Sequence, residues 1–150
     1  IDTVHNVQKA GLRVCSGGIV GMGEHDEDVI DLAYALRELA VDSLPVNFLH
    51  PVDGTPMAPP RTGQEGSQHL TPMRCLKILC LFRFLNPKSD LRAAGGREVN
   101  LREAQAMALY PANSIFVEGY LTTPGQVAES ARRMIEELGF EIEGSMAHGG

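Results

Sequence analysis

Runs of strand-forming residues alternate with runs of helical period along this chain. That alternation narrows the fold more than any other feature, because it builds parallel sheets with crossover helices. Asp2 to Lys9 reads as a helix that stops at Gly11, a residue suited to a helix C-terminus. Leu12 to Cys15 then reads as a short strand, and Ser16 to Glu24 as a glycine-rich loop. His25-Asp26-Glu27-Asp28 puts acid where a helix N-terminus favours it, and Val29 to Ala40 continues with Ile30, Ala33, Leu36 and Ala40 at helical spacing. Ser43-Leu44-Pro45 breaks the chain before a strand over Val46 to Leu49. Val52 to Gly66, rich in Pro, Gly and Thr, is a long loop. Thr71-Pro72 opens a third helix, apolar on most sides and therefore expected to be largely buried. Asp90 to Ala94 is a strand, Leu101 to Leu109 a helix, Ser114 to Val117 a strand and Pro124 to Leu138 an amphipathic helix stopped by Gly139. Four strands in this order make either a small open sheet or half of a closed barrel, since a complete eight-stranded barrel takes about 250 residues.

Charge excludes one class of partner. With 13 Lys and Arg against 19 Asp and Glu, the net charge is -6, and Arg132-Arg133 is the single adjacent basic pair. Nucleic-acid binding, which neutralises phosphates with clustered cations, is not expected. The uncharged apolar run Ile78 to Phe82 is far short of the roughly 20 residues of a membrane span, so no membrane segment is expected either. Three cysteines, Cys15, Cys75 and Cys80, do not form the dense even framework of secreted domains, and a reducing, cytoplasmic setting is expected. The opening IDTVHNVQKAG has the character of a helix interior, with the expectation that the chain begins in the middle of something larger.

In parallel β/α folds the reactive groups sit at the carboxyl ends of strands and in the loops that follow. That rule selects Cys15 with its glycine loop, Asn47 with His50, and Arg97. Cys15 is either a ligand or nucleophile, or a small buried hydrophobe. Cys75 and Cys80, five apart on different faces of one helix, read as packing residues. The glycine loop lacks the Lys and Ser or Thr of a phosphate-binding loop and the spacing of the dinucleotide fingerprint. Asn47 either binds a polar substrate or caps a strand end. Arg97 is either an anion clamp or an uncommitted arginine. His5, His25, His69 and His148 show no metal-ligand spacing.

As an ordered set these pieces resemble the biotin synthases, a family of radical S-adenosylmethionine enzymes. The resemblance is carried by Gly11 to Glu24 (GLRVCSGGIVGMGE), Leu44 to Leu49, Gly54-Thr55-Pro56, Leu91 to Glu98 (LRAAGGRE) and Ala112 to Phe116, over about residues 1 to 140. It implies an α/β fold, the C-terminal half of a (β/α)8 barrel with parallel strands over 1–140; the polar, glycine-rich residues 141–150 read on their own as a loose tail. It implies conversion of dethiobiotin to biotin. A 4Fe-4S cluster held by a Cys-x3-Cys-x2-Cys loop cleaves S-adenosylmethionine to a radical, and a 2Fe-2S cluster is the sulfur source. By the same resemblance Cys15 and Arg97 are ligands of the 2Fe-2S cluster, Asn47 contacts dethiobiotin, and Gly17, Ile19, Gly21 and Glu24 belong to the S-adenosylmethionine site. A homodimer and an electron-donating flavodoxin or ferredoxin are implied as partners. Guanidinium has no lone pair at ordinary pH, so an arginine ligand requires a neutralised nitrogen. No Cys-x3-Cys-x2-Cys occurs in these 150 residues, and Cys75 and Cys80 do not match the other cluster cysteines. The expectation is a fragment that does not turn over alone. Its alternatives are another radical S-adenosylmethionine barrel, or a non-catalytic half-barrel that binds or assembles.

Overall fold

The computed structural model describes residues 1–52, 54–55, 57, 70–118 and 125–143. Helix α1 (Asp2–Lys9) precedes four strand-helix units: β1 (Gly18–Val20) and α2 (Asp26–Glu38), β2 (Ser43–Phe48) and α3 (Pro72–Leu85), β3 (Asp90–Ala93) and α4 (Arg97–Leu101), β4 (Ser114–Ile115) and α5 (Ala128–Glu137). A 3-10 helix, Arg102–Leu109, extends the third unit. The strands form one parallel sheet in chain order, β1-β2-β3-β4.

Alternation along the strands assigns the two faces of that sheet. Leu44, Val46 and Phe48 of β2 and Leu91 and Ala93 of β3 are buried in a core with Val29, Ala33 and Leu36 of α2 and Cys75, Ile78, Leu79 and Phe82 of α3. Their neighbours Pro45, Asn47, Asp90 and Arg92 point the other way and are only half buried. Helices on one face, strands in sequential order and a second, polar face left open are the features of a barrel sector. A doubly wound sheet would bury both faces.

Several boundaries differ from expectation, each for a physical reason. Pro45 lies inside β2 and does not end it. Odd-numbered residues of β2 bond to the β1 side, as Ser43 N–H does to the Val14 carbonyl at 3.0 Å, so the missing donor of Pro45 costs the ladder one rung there. The expected strand Leu12 to Cys15 does not form as a regular strand: only Cys15 pairs, in an isolated bridge to Ser43, and the regular strand begins at Gly18 in the same register. Part of the expected glycine loop is therefore strand. Gly17 faces the gap, and a Cβ there would overlap the Pro45 carbonyl.

The helix expected from Leu101 to Leu109 is 3-10, entered through Arg102 at φ 51, a conformation that an α-helix cannot carry forward. Helix α3 opens as expected, with Thr71 Oγ1 accepting from Arg74 N–H at 3.2 Å ahead of Pro72. Its outer side is not buried, however: Met73 and Cys80 are exposed and Phe84 is 83% exposed. Helix α2 starts at Asp26, three residues earlier than its apolar period suggests, because His25 N–H donates to Asp28 Oδ2 at 2.8 Å. Gly139, at φ 77, ends α5 as expected. Pro124, most of the 52–66 loop and residues 144–150 lie outside the described residues.

Candidate functional site

The open face carries its side chains in rows that run across the strands. Register aligns Cys15, Ser43 and Asp90 in the lowest row and places Arg92 with Pro45 and Ser114 two residues higher. Ile19 lies beside Asn47 two residues higher again. At about 4.8 Å between strands and 3.3 Å per residue, Arg92 is about 10 Å across and 7 Å up from Cys15, within the combined reach of the two side chains and a small group between them. Cys15 is an exposed free thiol. Ser43 Oγ and Arg92 Nε are buried without a hydrogen-bond partner.

Below this row the sheet is closed by charge. Arg13 donates to Asp90 Oδ2 at 2.8 Å and lies 3.9 Å from Asp42, while Asn113 donates to Asp90 Oδ1 at 3.3 Å. The Arg13 hydrogen bond holds the Asp90 carboxyl below its ordinary range.

At the upper end, Asn47 spans three strands. Its Nδ2 donates to the Gly18 carbonyl at 3.1 Å and its Oδ1 accepts from Gly95 N–H at 2.9 Å, which leaves one N–H and one lone pair for a ligand. Glu24 folds the glycine loop back on itself, accepting from Gly21 N–H at 2.6 Å and Met22 N–H at 2.7 Å. Gly21, at φ 103, leaves no room for a Cβ, which would run into the Leu70 side chain, so this tight return requires glycine. Ile19 is 52% exposed on the open face beneath that loop, an apolar surface beside a polar one.

Arg97 is elsewhere. Ala94 already lies four residues, about 13 Å, above the Cys15 row, and Arg97 follows it. Its guanidinium is fully buried and donates to Glu98 Oε1 at 2.6 Å, Gln105 Oε1, the Phe116 carbonyl at 3.2 Å and Gln126 Oε1 at 3.4 Å. Burial lowers its pKa, and Glu98 opposes that shift. The residue thus ties α4, the 3-10 helix and the chain on both sides of the 119–124 segment together. Cys15 and Arg97 are not brought together, and the geometry gives no support to their sharing one metal site.

Arg92 is the arginine on the Cys15 face, and Ser43 is the second polar group that sequence reasoning passed over. The signal for Arg92 was a charged residue between Leu91 and Ala93, both buried, in a strand of period two. Ser43 was hidden by its place before a proline, which read as a break.

Of the remaining thiols, Cys75 is buried in the core as expected, its pKa pushed up to about 11 by burial. Cys80 is exposed and does not serve as a packing residue. No group of three or more His, Cys, Asp or Glu that could hold a metal ion occurs among the described residues, and no described helix is long and apolar enough to cross a membrane.

The chain is 54% identical to the biotin synthase of Geobacillus thermodenitrificans over 98% of its own length and 42% of that protein's. It is 51% identical to the biotin synthase of Acaryochloris marina over 96% of its length and 40% of that protein's. To the biotin synthase of Bacillus subtilis it is 52% identical, over 95% and 41% respectively. The chain therefore spans about two fifths of the length of these relatives. Residues 45–141 match the family model described as the Biotin and Thiamin Synthesis associated domain, and the chain belongs to that family.

Proposed function

We propose that this chain supplies the C-terminal part of the catalytic barrel of a biotin synthase, which inserts sulfur into dethiobiotin by radical S-adenosylmethionine chemistry. The observation that carries the reading is identity of 51% or more to biotin synthases along nearly all of these residues. The open sheet face supports it, being the side on which a barrel encloses its ligands.

Two levels of that face have separate roles. At the upper rim, Ile19 offers an apolar platform to the adenine of S-adenosylmethionine, and Gly17 before β1 and the Glu24-braced turn at Gly21 let backbone approach the cofactor. Asn47 presents its remaining N–H and lone pair to the ureido group of dethiobiotin.

Deeper in the barrel, the residues fit an iron-sulfur group: Cys15 has the thiol that makes the natural ligand, and Ser43 Oγ and Arg92 Nε are polar atoms with nothing to bond. When bound, a 2Fe-2S cluster supplies the inserted sulfur. Cys15 would hold it, with Arg92, not Arg97, as the arginine beside it. A cluster takes four ligands, and Cys75 and Cys80 lie on α3 in the helix layer behind the sheet, so the remaining cysteines must come from outside these residues. The same holds for the 4Fe-4S cysteine loop, absent from this sequence. A homodimer, a flavodoxin or ferredoxin donor and a cytoplasmic setting complete the reading.

The test is a chimera in which these residues replace the matching segment of the Bacillus subtilis relative, reconstituted with iron and sulfide and assayed for biotin from dethiobiotin. Biotin formation that depends on Cys15 is expected. A chimera that folds, binds its clusters and makes no biotin would refute the reading.

A further inference from the structure

The lowest row of the open face contains a hydroxyl that the fold itself does not use. Ser43 is only 6% exposed, and both its backbone groups are taken: its N–H donates to the Val14 carbonyl at 3.0 Å and its carbonyl accepts from Ser16 N–H at 3.0 Å. Oγ alone is unpaired, and alternation with buried Leu44 turns it to the side shared by Cys15, its direct partner across the β1-β2 bridge. A buried hydroxyl without a partner costs about 1–3 kcal/mol, and nothing in the local packing requires an oxygen there, since alanine would fill the same strand position. The neighbouring Arg92 Nε is stranded in the same way. Two unpaired donors therefore lie on the same face as one exposed thiol, Ser43 directly across from it and Arg92 one strand further on. Asp90, the nearest carboxylate in the row, is already engaged by Arg13 and Asn113.

We infer that Ser43 is a positioning residue for the group bound at Cys15, its hydroxyl donating a hydrogen bond to the Cys15 sulfur or to a sulfide of the iron-sulfur cluster. This rests on the proposed function. A hydrogen bond to cluster sulfur stabilises the reduced form, which carries one more negative charge, more than the oxidised form, and therefore raises the reduction potential. The event measured is a one-electron reduction by a dye mediator, with no bond made or broken.

The experiment uses the full-length enzyme containing this segment, as wild type, Ser43→Ala, Ser43→Thr and Cys15→Ala. Before reconstitution, Ser43→Ala is expected to melt no earlier than wild type, because it removes an unsatisfied hydroxyl. After reconstitution with iron and sulfide, Ser43→Ala is expected to change the oxidised-to-reduced ratio of the 2Fe-2S cluster about tenfold at fixed potential, a shift of about 59 mV to lower potential. Ser43→Thr, which keeps the donor, is expected to stay near wild type. A cluster that forms in both proteins with the same potential overturns the inference and leaves the proposed function standing, as does an early-melting apo Ser43→Ala. Wild-type 2Fe-2S absorption that Cys15→Ala does not diminish overturns both.

Discussion

Two arginines of this molecule, Arg97 and Arg92, differ in burial and partnership, and those differences separate what each can do. Arg97 stands out in the sequence because it follows two glycines at a strand end; in the fold its terminal nitrogens bind Glu98, Gln105, Phe116 and Gln126, while its Nε, like that of Arg92, is buried without a partner. Removing the buried Arg97 side chain is costly, since it leaves the half-buried Glu98 carboxylate and the Gln105, Phe116 and Gln126 acceptors without their donor. Arg97→Gln is expected to lower stability by about 3 kcal/mol in urea titrations, while the reconstituted enzyme keeps its 2Fe-2S absorption. Arg92→Ala is expected to do the reverse. The two variants together decide which arginine serves the cluster.

The thiols separate by the same logic. Native protein treated with iodoacetamide at pH 8 is expected to be alkylated at Cys15 and Cys80, and at Cys75 only after unfolding, as mass spectrometry would read. Cys75 also sets a pH limit. Its thiol stays protonated in the fold up to about 11, whereas the unfolded chain ionises near the ordinary value of 9.0. The unfolded state therefore loses protons first, and stability is expected to fall as pH rises from about 9 to about 11. Cys75→Ala or Val would remove that slope.

At the scale of elements, the sequence disclosed α1, α2, α3 and α5 and the strands β2, β3 and β4 by type, because the apolar periods of 3.6 and 2 are strong in α2, α3, α5 and β3, whereas β1 reads as glycine loop and α4 is not signalled. What it concealed were positions where hydrogen bonding across elements overrules local preference. Pro45 is a chain breaker by rule, and only the position of its partner strand shows that a single missing rung is tolerated. The break at Ser16 and Gly17, between the Cys15 bridge and β1, follows from that gap and not from β1's own residues. Gly17→Ala is the corresponding test. Its methyl would overlap the Pro45 carbonyl, backbone that cannot rotate away, so a loss of about 1–3 kcal/mol is expected in thermal or urea unfolding. Wild-type stability would mean that β1 and β2 lie further apart than the register indicates.

For the whole molecule, a half-barrel could be argued from strand count and chain length, and the helices on one face settle it against an open doubly wound sheet. Of the candidate site, Cys15, Ile19, Glu24 and Asn47 were legible from glycine-rich or strand-end contexts. Ser43 and Arg92, which join the candidate site only under the proposed function, were not, because the rows that hold them exist only once the strands are in register. Among the described residues β1 and β4 each present an unpaired edge, and the polar face between them lacks a covering layer. Expressed alone, the 150-residue chain is expected to self-associate in light-scattering chromatography, and joined to the first three fifths of one of its relatives to become monodisperse. A stable 16.2 kDa monomer would contradict this.

Asn47 carries a consequence of its own. Because one amide group pins the Gly18 carbonyl on one side and the Gly95 N–H on the other, the spacing between the glycine loop and the third unit is set before any small molecule arrives. Under the proposed function, a substrate entering from above would meet a mould already cast, and little of its binding energy would be spent on drawing the two walls together.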